Sequence, residues 1–250
     1  MTRPGSTSRS MLLILMVALV WPMSLRAQES TPKLTKEQFE RMISTYYQKP
    51  SPGIITSAMN YMNEERMPKD KSQIPPFLGF FAIVFRDNPQ RLLQWQSQYE
   101  AFNGNTKQLM EQAMAYSQHP EKLLGADKEK LSPEQNDLCW GAYFASGDDV
   151  YLERLVDRLQ YVGERKLFLV YVTAATAQWS LASNARHHRS VKEFLEKKVN
   201  TTTGPLQTAI KAALEQDPGS FRVEINKIVK EGQANKTWVM PEQPKADAKK

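Results

Sequence analysis

The chain has 250 residues, 41% hydrophobic and 24% charged, with 33 Lys and Arg against 27 Asp and Glu. That length carries one large domain or two small ones with a real core. Five Trp, nine Tyr and ten Phe exclude wholesale disorder, 11 Gly exclude collagen-like or low-complexity character, and the single cysteine excludes an intramolecular disulfide scaffold.

Residues 1–10 are small, polar and basic, and Met11 to Trp21 follow as an unbroken apolar run. Pro22 and a short polar stretch then lead to Leu25-Arg26-Ala27. A basic start, an apolar stretch of this length and a small residue before the cut predict a secretory signal peptide over 1–27, cleaved after Ala27. The run is too short for a mature transmembrane anchor, and no Cys follows it to accept a lipid. Cleavage would remove Arg3, Arg9 and Arg26 and no acid, halving the formal net charge of +6. Much of the remaining excess sits at the C-terminus in Lys245, Lys249 and Lys250. A nucleic-acid footprint needs cations gathered on one face; no such stripe occurs, so no nucleic-acid partner is expected.

The rest predicts helices, because apolar residues recur at three- and four-residue spacing and no period-2 run stands out. Thr35 with Gln38 forms a capping box that opens a helix carrying Phe39, Met42, Ile43 and Tyr46. Pro50, Pro52 and Gly53 break it, and Ile54, Ile55, Ala58, Met59 and Met62 mark a second helix. A polar loop over 68–73 precedes a strongly apolar helix from Pro75-Pro76 to Phe85. Asp87-Asn88-Pro89 restarts the chain into Leu92, Leu93, Trp95 and Tyr99. Asn103-Gly104-Asn105 reads as a turn before Leu109, Met110, Ala113 and Met114.

From His119-Pro120 a charged connection runs to Ser132-Pro133-Glu134-Gln135, which predicts a second capping box. The helix it opens holds Leu138, Cys139, Ala142 and Tyr143. Ser146-Gly147-Asp148 turns the chain into Val150, Leu152, Leu155, Val156 and Leu159. Leu167 to Ala177 is apolar nearly all round, the mark of a central helix. Further helices carry Val191, Phe194, Leu195 and Val199, then Leu206 to Leu214, then Phe221 to Val229. The composition from Gly232 onward predicts a disordered tail over 233–250.

With Phe80, Trp140 and Trp179 in register, apolar residues recur twelve residues on (Leu92, Leu152, Val191) and fifteen on (Trp95, Leu155, Phe194). Each aromatic is followed by a polar turn, the pattern of a helix hairpin that must stack on neighbours to bury its face. The starts are unevenly spaced, so an ordinary helical bundle explains the recurrence as well as a degenerate repeat does. Tyr143-x-x-x-Gly147-Asp148 resembles the first-helix end and turn of a tetratricopeptide repeat, over about one hairpin. The family's small residue three positions before the aromatic is Trp140 here. What the resemblance implies is hairpin geometry and protein binding in a groove between stacked hairpins.

Chemistry-bearing motifs are sparse. His187 and His188 are adjacent, so on a helix they point about 100° apart and cannot clamp one metal. With Arg186 and Arg189 they read as a solvated basic loop, or as an anion contact. Cys139 lies on an apolar stripe and reads as a buried, inert thiol. Glu64-Glu65 and Asp148-Asp149 are neighbouring acids, but paired-carboxylate hydrolysis needs groups facing across a cleft. No phosphate loop, nucleophile elbow or zinc-protease motif occurs. No catalytic, metal or cofactor-binding residue is therefore assigned. Met42, Met59, Met62, Met67, Met110 and Met114 fit either a core or an adaptable apolar groove. Asn200-Thr201-Thr202 and Asn235-Lys236-Thr237 fit the N-glycosylation sequon, which matters only in a eukaryotic host.

The expectation is an all-α protein of roughly ten or eleven helices. They would be packed as an irregular stack of antiparallel hairpins, either solenoid-like or a bundle. Residues 28–232 would form one domain. The expected function is a non-enzymatic interaction or scaffold protein of the bacterial cell envelope, periplasmic or secreted, with a protein partner. The alternative is a periplasmic binding protein for a hydrophobic small molecule or lipid, and an unrecognised hydrolase is a third reading.

Overall fold

A computed structural model describes residues 32–124 and 131–240, so the expected signal peptide lies outside the described residues, as does the part of the expected tail beyond Met240. Among the described residues eleven α-helices follow one another: α1 (Lys36–Thr45), α2 (Pro52–Glu64), α3 (Ile74–Asp87), α4 (Leu92–Glu100), α5 (Gly104–Ser117), α6 (Pro133–Ser146), α7 (Asp149–Arg158), α8 (Phe168–His187), α9 (Arg189–Thr201), α10 (Gly204–Glu215) and α11 (Pro218–Ala234). Among the described residues there is no β-strand beyond one isolated bridge between Leu167 and Val239. The protein is all-α.

Local signals set most of these boundaries. Thr35 Oγ1 accepts from the Gln38 N–H while Gln38 Oε1 accepts from the Thr35 N–H, so the first capping box forms. Proline occupies the first turn of α2, α3, α6, α10 and α11, where its missing N–H costs nothing. The second capping box does not form: the Ser132 side chain makes no cap bond, and it is the Ser132 carbonyl that accepts from the Gln135 N–H. Asn103-Gly104-Asn105 is less a turn than a helix entry, with α5 beginning at Gly104 at φ +60°. The connection after His119 is not wholly irregular either, since a 3-10 turn over Pro120–Leu124 buries Leu123.

Two helices organise the packing. Nine of the fourteen residues of α3 are buried, and it packs on α5 and α6. α8 packs on α6, α7, α9, α10 and α11, which is the central position its all-round apolar sequence predicts. α6 touches both α3 and α8 and so joins the two halves of one continuous apolar core. The closest approach is between α3 and α6. A Cβ on Gly79 would overlap the Leu138 carbonyl oxygen, and one on Gly141 would overlap that of Pro76. Trp140 is the neighbour of Gly141 on α6. It stacks on Phe144 at 5.5 Å and donates from Nε1 to Ser180 Oγ on α8 at 2.9 Å.

Two expectations need correction. The register of Phe80, Trp140 and Trp179 fails at its third member, because Phe80 and Trp140 are buried while Trp179 lies on the surface at 36% exposure. The chain also stays folded beyond Gly232. α11 runs to Ala234, and the Trp238 ring then seats against Gly232 and stacks on Tyr171 at 5.4 Å. Val239 exchanges backbone bonds with Lys166 and Phe168. One aromatic anchor outweighs a polar composition here.

Candidate functional site

α1 and the end of α2 meet the start of α3 around an open groove of about 560 Å³. Its floor follows from the first helical stripe: Phe39 on α1 stacks on Tyr61 of α2 at 4.7 Å and meets Phe77 of α3 at 5.8 Å. Phe39 is buried, whereas Ile43, Tyr61, Met67 and Phe77 remain part-exposed along the groove. Lys36, Glu40, Glu65 and Lys69 form the rim. They pair among themselves, Lys36 with Glu40 at 3.8 Å and Lys69 with Glu65 at 3.6 Å. Exposed pairs of this kind contribute little stability and leave the rim free to re-pair with a visitor. Burial, assisted by Glu65, Glu40 and Glu37, raises the Tyr61 hydroxyl above its usual value and keeps it a neutral donor. Such a groove offers apolar contact, an aromatic donor and both signs of charge. Ser72 in its lining donates from Oγ to Asp70 Oδ1 at 2.5 Å, a carboxylate that also caps the 3-10 turn Lys71–Gln73 by accepting from the Ser72 N–H.

A second polar cluster joins distant parts of the chain. Tyr47, in the 3-10 turn Tyr46–Gln48 after α1, places its hydroxyl 3.0 Å from Ser190 Oγ and 3.3 Å from His188 Nδ1. Tyr143 on α6 donates to the same Ser190 Oγ at 2.8 Å. The expected solvated basic loop is therefore corrected at His188, which is buried against Phe144 and Tyr47. His187 stays exposed, Arg186 donates to the Gln216 carbonyl at 2.9 Å, and Arg189 pairs with Glu193 at 2.7 Å. The four basic residues thus divide among different partners. Burial, then His187, pushes the His188 imidazole down, and burial pushes Tyr143 up to about 12. Both shifts favour the neutral forms of His188 and Tyr143. His188 bonds Tyr47, and among the described residues the Ser190 hydroxyl bonds the hydroxyls of Tyr47 and Tyr143 rather than the imidazole. This network ties α6 and the α8–α9 junction to the segment after α1.

Cys139 is fully buried, and that burial pushes its thiol up, partly offset by Arg158. Arg158 is itself buried; it donates to Asn136 Oδ1, to the Leu124 carbonyl at 3.3 Å and to Cys139 Sγ at 3.8 Å. Asn136 in turn donates to the Thr173 carbonyl at 2.8 Å and to Thr176 Oγ1 at 2.9 Å. Among the described residues no group of three or more His, Cys, Asp and Glu could hold a metal ion. The neighbouring acids have local duties. Glu64 pairs with Lys33 at 2.8 Å, and Asp148 Oδ1 accepts from the Val150 N–H at 3.0 Å as the cap of α7.

The groove carries no motif. Ile43, Tyr61, Met67 and Phe77 each look like core residues in sequence, and only the meeting of three helix ends leaves them open together over the buried Phe39. Among the described residues no helix is long and apolar enough to cross a membrane. The chain matches no protein-family model, no curated protein and no solved structure.

Proposed function

We propose that this chain is an exported, non-enzymatic protein-interaction protein of the bacterial cell envelope, working in the periplasm. The groove between α1, α2 and α3 carries the proposal. It presents Tyr, Phe and Met, the side chains that anchor protein interfaces through large rigid or adaptable apolar area. Its rim of paired Lys and Glu suits a peptide segment that places one or two large apolar side chains on Tyr61 and Phe77. The basic and apolar pattern of residues 1–27 supports export. The mutually bonded hydroxyls around Ser190 support a structural use of that cluster over hydrolysis.

Crosslinking in the native compartment followed by mass spectrometry tests this reading. It predicts a mature chain beginning at Gln28 and one envelope protein crosslinked to peptides of α1 and the α2–α3 connection. Recovery of the chain crosslinked only to itself would overturn the interaction role, and an unprocessed cytoplasmic chain would overturn the export.

A further inference from the structure

A second cleft, of about 590 Å³, lies between α8, α10 and α11 beside the turn over residues 159–165. Its floor is apolar, from Val162, Ala175, Ala209, Phe221 and Ile225. This is the size and lining of a small-ligand site, in which a few polar groups fix orientation. Beside the uncharged Gln160, Gln178, Thr208 and Gln216, its lining carries the Tyr171 hydroxyl and two charged groups, Arg165 and Glu224.

The two charges are notable for what they lack. Arg165 donates from Nη1 to the carbonyls of Val162 and Glu164 at 2.7 and 2.9 Å, and its guanidinium lies 4.7 Å over the Tyr171 ring. Among the described residues Arg165 has no carboxylate, and Glu224 no cation, within ion-pair distance. Both are exposed, yet both bear on the Tyr171 hydroxyl, which burial chiefly raises, Arg165 lowers and Glu224 raises further. A cation and a carboxylate that face one apolar cleft without pairing are the complement of a zwitterion. The wall between them is braced, because Trp238 stacks on Tyr171 and the Val239 backbone is bonded to Lys166 and Phe168.

We propose that this cleft binds a short apolar peptide with free termini, its carboxylate on Arg165, its ammonium on Glu224 and its side chains on the apolar floor. This site is separate from the groove of the proposed function and takes a free small molecule rather than a protein.

Calorimetric titration of the whole chain with trileucine, its C-terminal amide and its N-acetyl form tests it. Trileucine should bind, and each blocked form should bind about tenfold more weakly or worse, since each loses one charge-assisted contact. Arg165→Gln should abolish the preference for the free carboxylate and leave the preference for the free amine; Glu224→Gln should do the reverse. Both residues are exposed, so unchanged melting curves are expected and exclude unfolding as the cause. No binding heat with millimolar trileucine, or end-group preferences that persist in both variants, would overturn the proposal.

Discussion

Arg158 is 2% exposed, and among the described residues no carboxylate lies within ion-pair distance of it. A cation taken out of water in this way is costly unless its hydrogen bonds are made. Here Asn136, the Leu124 carbonyl and the Cys139 sulfur make some of them, while Nε has no partner. In sequence Arg158 is one more polar residue before Leu159, and nothing local marks it as buried. Its burial arises because α6 and the 3-10 turn over Pro120–Leu124 both close over the end of α7. Arg158→Met and Asn136→Leu should each destabilise the protein by about 2–3 kcal/mol, by leaving the other group unsatisfied. The double variant should cost less than the sum, with a coupling of at least about 1 kcal/mol in urea unfolding. Strict additivity would show that the two side chains do not act together.

Asp137, one residue along α6, behaves differently. Burial first, and Glu134 second, push its carboxyl up to about 6 from the usual 3.8. The unfolded carboxyl loses its proton near the usual value, whereas the folded one holds it until about pH 6. The native state therefore binds more protons across that interval, and stability falls as pH rises through it. Asp137→Asn should gain about 1–2 kcal/mol at pH 7.5 and nothing at pH 3, where both side chains are neutral. Urea unfolding at the two pH values checks this, and an equal gain at both would contradict the burial account.

At the scale of the elements, the crossing of α3 and α6 rests on two glycines. A glycine inside a helix costs about 1 kcal/mol relative to alanine, so Gly79 and Gly141 stand against propensity and are explained by backbone contact. Gly141→Ala or Gly79→Ala should destabilise by at least about 3 kcal/mol, because the overlapped atoms are backbone carbonyl oxygens that cannot swing away. Gly53→Ala is the control: a Cβ there meets nothing within 4 Å, and the change should be neutral or stabilise by about 0.5 kcal/mol. Equal effects at Gly53 and Gly141 in chemical denaturation would rule out the close crossing. Element identity was legible in the sequence where the cause is local: the Thr35–Gln38 box, the prolines of the first turns, and the all-round apolar α8. It was not legible where one tertiary contact decides. Ser132 yields its cap to a backbone bond, and Trp238 keeps the chain folded past a stretch whose composition predicts a solvated tail.

Across the whole molecule, the apolar pattern is enough to predict an all-α fold, but not which helices meet. α3 and α6 are distant in sequence and make the tightest contact, while Trp179, aligned with Phe80 and Trp140, faces outward. Both the groove and the cleft lie where separate elements converge, so no motif announces either. His188 illustrates the same limit from the other side. Its neighbours Arg186, His187 and Arg189 are all exposed, and it is enclosed by Phe144 of α6 and by Tyr47, which arrives from the segment after α1.

The central claim is that the groove of α1, α2 and α3 receives a partner protein in the envelope. A photoreactive amino acid placed at Tyr61 on the groove, and separately at exposed Lys211 on α10, tests this most directly when both chains are irradiated in their native compartment. The account predicts one discrete crosslinked envelope protein from position 61, its loss when Phe77→Asp is added to a chain that still folds, and no such product from position 211. The same products from both positions, or a product at 61 that survives Phe77→Asp, would contradict it.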